Sequence, residues 1–148
     1  MLIRHTGDCR WEGVSLLKYK EEEGQGSLFR DISRQVLVDG LADLPCQLRY
    51  FEVAAGGHST LERHQHAHLV VIFRGGGDIL LEDQVFPVRE KDVVTIPPQT
   101  LHQLRATKDV PLGFLCLVNV ERDKPVCPSE EDLKVLRQNP SVAAFIRS

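Results

Sequence analysis

Four of the six histidines, His58, His64, His66 and His68, fall within 11 residues of this 148-residue chain. From Glu62 the sequence reads Glu-Arg-His-Gln-His-Ala-His to His68. In an extended segment, side chains two apart share a face, so Glu62, His64, His66 and His68 are expected to project together. Three imidazoles and a carboxylate on one face do not make an apolar core. They are either a solvated outer face or polar groups that need partners or a cation. A mixed nitrogen and oxygen set of this kind suits Mn(II), Fe(II), Ni(II), Co(II) or Zn(II).

The rest of the chain has the means to hold such a cluster on a sheet. Runs rich in β-branched and aromatic residues occur at Val14–Tyr19, Gln35–Val38, Gln47–Val53, Leu69–Phe73, Ile79–Leu81, Gln84–Val88, Val93–Ile96, His102–Ala106 and Leu112–Val118. Glycine and proline punctuate them at Gly24-Gln25-Gly26, Gly56-Gly57, Gly75-Gly76-Gly77 and Pro97-Pro98. Many short strands with turns between them predict an all-β sandwich or barrel. Helix is expected only at the carboxyl end. There Ser129 can cap a helix, Asp132 can complete the capping box, and Leu133 and Leu136 give it an apolar stripe. Asn139-Pro140 should stop that helix, and Ser141 could open a last short turn carrying Val142, Phe145 and Ile146.

Composition limits the class of partner. The 148 residues make one domain. Eighteen basic residues against 21 acidic ones give a net charge of -3, no footprint for nucleic acid. Apolar runs such as Leu69–Phe73 fall far short of the roughly 20 residues that span a bilayer. The amino terminus has no signal-peptide core, so a soluble cytoplasmic protein is expected. Cys9, Cys46, Cys116 and Cys127 stand far apart without a CxxC pair and are expected to be free thiols.

The spacing of the cluster resembles the first cupin motif: Gly56, five residues, Glu62, one residue, His64, three residues, His68, six residues, Gly75. Fifteen residues on, Lys91, five residues, Pro97-Pro98-Gln99, two residues and His102 resemble the second motif. The ligand slots of the first motif are His, His and Glu, whereas here they hold Glu62, His64 and His68. Lys91 and Gln99 stand at two glycine positions of the second motif, and Ala106 at its terminal asparagine. The inventory of three histidines and one glutamate is complete but permuted. A second register pairs His64 with His66, at the cost of placing Val70 in the acidic slot. In the first register His66 becomes a pocket residue, and His58 a loop residue.

The resemblance implies a cupin barrel (a double-stranded β-helix, or jelly roll) over about residues 47–120. Residues 1–46 are then an extension packed on it, and 121–148 a closing loop and helix. Its implied metal ligands are Glu62, His64, His68 and His102. Four ligands on an octahedral ion would leave two positions where a substrate with adjacent oxygens could chelate, for Lewis-acid chemistry. Cys116, on a late strand that passes close to the metal in cupins, is a buried apolar-type residue or, facing the pocket, a nucleophilic thiolate. Small cupins often pair across a two-fold axis, so a homodimer is expected.

Leu61-Glu62-Arg63-His64, Gly75-Gly76-Gly77, the Gly113–Val118 strand and Arg122-Asp123-Lys124-Pro125 together resemble one cupin group. Its members remove the methylthio group of 1-methylthio-xylulose 5-phosphate, in methylthioadenosine salvage linked to isoprenoid precursors. The resemblance implies a metal-dependent transferase, with Mn(II) as the preferred metal, glutathione as thiol acceptor and Cys116 as a possible first acceptor. Arg49, Arg74 and Arg105 are the open choices for the phosphate. Two other readings remain: an Fe(II) cupin dioxygenase, and a small-molecule binding cupin without turnover.

Overall fold

A computed structural model describes residues 1–20 and 28–148. The expected break at Gly24-Gln25-Gly26 lies outside the described residues. Ten strands run in chain order: β1 His5–Gly7, β2 Arg10–Trp11, β3 Leu17–Lys18, β4 Arg30–Leu41, β5 Leu44–His58, β6 His68–Leu81, β7 Gln84–Arg89, β8 Val93–Ile96, β9 His102–Ala106 and β10 Leu112–Asn119. Two short helices follow, α1 Glu130–Leu136 and α2 Pro140–Phe145. None of the described helices is long and apolar enough to cross a membrane.

The barrel closes because two strands are each shared. β10 pairs with both β5 and β6, and β9 also bridges β5 and β6. β6 is one continuous strand, although its glycine triplet reads as a turn. Up to Gly75 it lies between β8 and β10; from Gly76 onward it lies between β7 and β9. The triplet is where the strand bends and changes both partners. A Cβ on Gly75, at φ +67°, would lie 1.9 Å from the Pro111 carbonyl oxygen. One on Gly77 would lie 2.0 Å from that of Arg105. Only glycine admits neighbouring backbone this close.

β4 is three times the length of the expected Gln35–Val38 segment, and its pairing with β5 extends the sheet before the barrel proper. Of Val14–Tyr19 only Leu17–Lys18 is strand, laid against β4. The β1–β2 hairpin sets Trp11 on Tyr50 and Phe73, with ring centroids 5.1 and 6.1 Å away. His58 ends β5 and is buried, not in a loop as the spacing suggested.

Two apolar cores result. One fills the barrel with Phe51, Val53, Val70, Ile72, Ile79, Ile96, Leu104, Leu112 and Phe114 among others. The second lies under the helices, where Leu133, Leu136, Val142, Phe145 and Ile146 meet Leu61, Leu80 and Leu101. Leu61 and Leu101 each immediately precede a predicted ligand, Glu62 and His102, so this second core backs the site.

Ser129 caps α1, and Asp132 closes the capping box. The same Asp132 carboxylate takes both guanidinium nitrogens of Arg63 at 3.0 Å, tying the helix to the segment between Glu62 and His64. Pro140 does more than stop α1. It occupies the first turn of α2, which Asn139 caps, as suits a residue lacking N–H. Leu136 is 4% exposed. Leu136→Ala should lower stability by about 3 kcal/mol in urea denaturation; a loss well under 1 kcal/mol would mean the helices add nothing to the barrel.

Candidate metal centre

The strands bring His64, His68 and His102 together in one group, with one ring nitrogen from each lying within 4.8 Å of the others. His68 opens β6 and His102 opens β9. His64 lies between them in the connection after β5, where Glu62 forms a backbone bridge to His102. Residues 64–67 are not extended: the chain bends at Gln65 and His66. That bend, rather than strict alternation, stacks His64 on His66 and His68, with centroids 3.9 and 4.1 Å apart.

Backbone carbonyls set the tautomers. His64 Nδ1 lies 2.7 Å from the His66 carbonyl, and His102 Nδ1 lies 2.9 Å from that of Thr100. A carbonyl only accepts, so each Nδ1 carries the proton and each Nε2 keeps its lone pair. His64 Nε2 is buried with no partner among the described residues. A buried lone pair without a donor costs free energy that a cation would recover, and carbonyl tethers of this kind are how metal-binding imidazoles are oriented. The donor set therefore fits a divalent metal.

The remaining predicted residues stand around this group. The Glu62 carboxylate is buried and held in an ion pair by Lys20, outside the three-imidazole group. His66 Nε2 lies 2.9 Å from His68 Nε2, and its Nδ1 donates to Asp123 Oδ1 at 2.6 Å. Asp123 also accepts the amide of Gln65 at 2.8 Å and that of His66 at 3.2 Å. These bonds, the Gln65 amide first and then the His66 ring, hold its carboxyl down at about 2. Asp123 thus anchors the bend that carries His66. No spacing rule in the sequence pointed to it, since it lies far along the chain in the exit loop.

All these groups line one cavity of about 520 Å³, within the usual range for small-ligand sites. Cys116 opens onto it although it belongs to the barrel core. Its Sγ accepts from Arg49 Nη2 at 3.2 Å and lies 3.6 Å from His68 Nδ1. Burial raises its pKa while Arg49 opposes that shift. Cys9, Cys46 and Cys127 are, like Cys116, free thiols, and none of the three lines this cavity. His58 is outside it too. Of the three arginines considered for a phosphate, only Arg49 lines the cavity. Arg74 pairs with Asp8 and Glu52, and Arg105 donates to the Phe145 carbonyl beneath α2.

Burial, then the neighbouring imidazoles, lowers the pKa of His64 to about 4; burial alone dominates for His102, also about 4. His68 moves in the same direction, again chiefly through burial. Depressed histidine values mean that the native state binds fewer protons than the unfolded chain. Their stability contribution is full above the ordinary value of about 6.5 and is lost as pH falls from there through about 4. The urea midpoint of metal-free protein should therefore drop between pH 7 and pH 4.5, and drop less in His102→Gln. Equal slopes in the two proteins would show that the imidazole is not held neutral.

The cupin domain signature matches residues 49–118. The chain is 56% identical over 138 residues to 1-methylthio-D-xylulose 5-phosphate methylsulfurylase of Rhodospirillum rubrum, covering 93% of this chain and 86% of that one. A cupin 2 conserved barrel domain protein from Rhodopseudomonas palustris superposes with a TM-score of 0.92 at 45% identity, over 100% of both chains. A cupin-2 domain structure from Rhodospirillum rubrum gives 0.85 at 54% identity, over 94% of this chain and 91% of that one. With its closed barrel, its paired motifs and relatives of this similarity, the chain belongs to the cupin family.

Proposed function

We propose that this cupin transfers the methylthio group of 1-methylthio-xylulose 5-phosphate to a thiol, leaving 1-deoxy-xylulose 5-phosphate. The similarity to a methylsulfurylase over most of the chain supports the reading. One feature of the site carries it: the Cys116 thiol opens onto the same cavity as the three grouped imidazoles.

His64, His68 and His102 would hold a divalent metal, with Mn(II) favoured among the metals that suit nitrogen and oxygen donors. Glu62 would be the fourth ligand once its ion pair with Lys20 opens. Such a metal supplies Lewis-acid polarisation of the ketone and the adjacent hydroxyl. The chain's own part is to present sulfur. Arg49 donates to Cys116 Sγ and so favours the thiolate, offsetting burial. His68 Nδ1 lies 3.6 Å from the sulfur, and with that imidazole given to the metal the thiol proton is lost to solvent. Attack of Cys116 sulfur on the methylthio sulfur forms an S–S bond and breaks the carbon–sulfur bond. The electron pair stays on the carbon beside the ketone, which takes up a proton and becomes a methyl group. Glutathione thiolate then attacks the methyl disulfide on Cys116, leaves as the mixed disulfide, and restores the cysteine. The sugar carbon gains two electrons, one from the glutathione sulfur and one from the methylthio sulfur, which end joined in the mixed disulfide.

Protein loaded with Mn(II) should convert the methylthio sugar phosphate in the presence of glutathione. Cys116→Ser should cut kcat by roughly a hundredfold or more, and the methylthio adduct on Cys116 should be visible by intact mass before glutathione is added. No turnover by the wild type would end this reading; full activity of Cys116→Ser would remove only the covalent step and leave direct attack by glutathione. The ligand set has its own test, elemental analysis of purified variants. His64→Ala and His102→Ala should lose the metal, and metal kept by both would reject the site. Metal kept by Glu62→Gln would reduce the set to three imidazoles.

A further inference from the structure

Among the described residues, six cationic side chains line the cavity: Lys18, Lys20, Arg34, Arg49, Arg122 and Lys124. Two carboxylates line it with them, Glu62 and Asp123. Both are engaged, Glu62 by Lys20 and Asp123 by the His66 ring and two backbone amides. Since the whole chain carries a net charge of -3, this positive charge is a local concentration.

Three guanidiniums, two from strands and one from the exit loop, form a group beside Cys116. Arg34 on β4 stands opposite Phe51 on β5, and Arg49 lies two residues before Phe51, so all three side chains leave the same face of the ladder. Arg49 is 8% exposed, lies over the Phe51 ring with its guanidinium carbon 5.0 Å from the centroid, and donates to Cys116. Arg122 reaches the same wall from the exit loop. It is braced by Gln47 Oε1 at 2.8 Å and by the carbonyls of Asn119 and Val120 at 3.0 and 3.3 Å. Its pKa is lowered by burial and then by Arg49, with Arg34 also contributing and Asp39 opposing. The Nε of Arg34 and the Nε of Arg49 are buried without a partner among the described residues. A guanidinium cannot shed its proton, so a buried N–H of this kind needs an acceptor.

We infer that Arg34, Arg49 and Arg122 form the subsite for the phosphomonoester of the substrate. The inference rests on the proposed reading of the cavity as a sugar-phosphate site and names the residues that would select for that class. A carboxylate brings two oxygens and one charge, which one guanidinium fork satisfies. A phosphomonoester brings three terminal oxygens and nearly two charges at neutral pH, enough for several forks at once. The subsite adjoins Cys116 through Arg49, so the group that holds the anion also touches the sulfur.

Titration calorimetry with inorganic phosphate, a ketopentose 5-phosphate and the unphosphorylated ketopentose tests this. Wild-type protein should bind both phosphates, and metal-depleted protein should still bind inorganic phosphate. Arg34→Gln and Arg122→Gln should weaken both phosphates at least tenfold and leave the unphosphorylated sugar unchanged. These two positions are only partly buried, so the test does not depend on a folded Arg49 variant. Wild-type phosphate binding by Arg34→Gln would overturn the inference. So would loss of phosphate binding on metal depletion alone. Absence of methylthio transfer, with phosphate binding still dependent on Arg34, would reject the proposed reaction and leave the subsite standing.

Discussion

The imidazole end of the cavity depends on keeping His64, His68 and His102 uncharged. His64 lies flat against His68, with His102 edge-on, at separations where two protonated rings would repel strongly. Burial does most of this, because charging a ring there forfeits its hydration. The carbonyls of His66 and Thr100 do the rest by assigning the one ring proton to Nδ1. The backbone thereby decides where the lone pairs point. Apolar cover behind the site is part of the same arrangement, since Leu61 and Leu101 belong to the core under the helices.

The adjoining wall carries the reverse electrostatics, where the Nε–H groups of Arg34 and Arg49 lie buried without acceptors among the described residues. One cavity therefore joins a neutral, donor-rich pole to a cationic one, with Cys116 touching both through His68 and Arg49. A cation at the first pole and an anionic ligand group at the second match this polarity. Overall charge hides it, because acidic residues elsewhere on the chain outweigh the cavity's surplus.

Much of this was legible in the sequence, for reasons tied to range. The strands from Gln47 to Val118 and the capping box at Ser129 and Asp132 are local patterns, and the structure shows both. His64, His68 and His102 could be placed in the motif spacing, and these three do converge. The glycine triplet reads as a turn in sequence because glycine marks both turns and close backbone approach, and only the carbonyls of Pro111 and Arg105 tell which applies. Pro140 signals a stop and is also the start of α2. Asp123, Arg34 and Arg122 were invisible as cavity residues because their roles exist only once loop and strand are folded over the barrel. Lys20 beside Glu62 belongs to the same class: a pairing across 42 positions leaves no trace in local pattern.

The closure of the barrel also sets an order of events. His102 meets Glu62 through a bridge spanning 40 positions, and β10 must reach back to β5 across more than 50 positions before Cys116 stands beside Arg49. Contacts this distant form late, after the entropy of closing long loops has been overcome. A nascent chain thus offers an ion only the short His64–His68 stretch, a weak and unselective chelator. The three imidazoles converge only in the finished barrel, so any choice among ions falls to the folded protein.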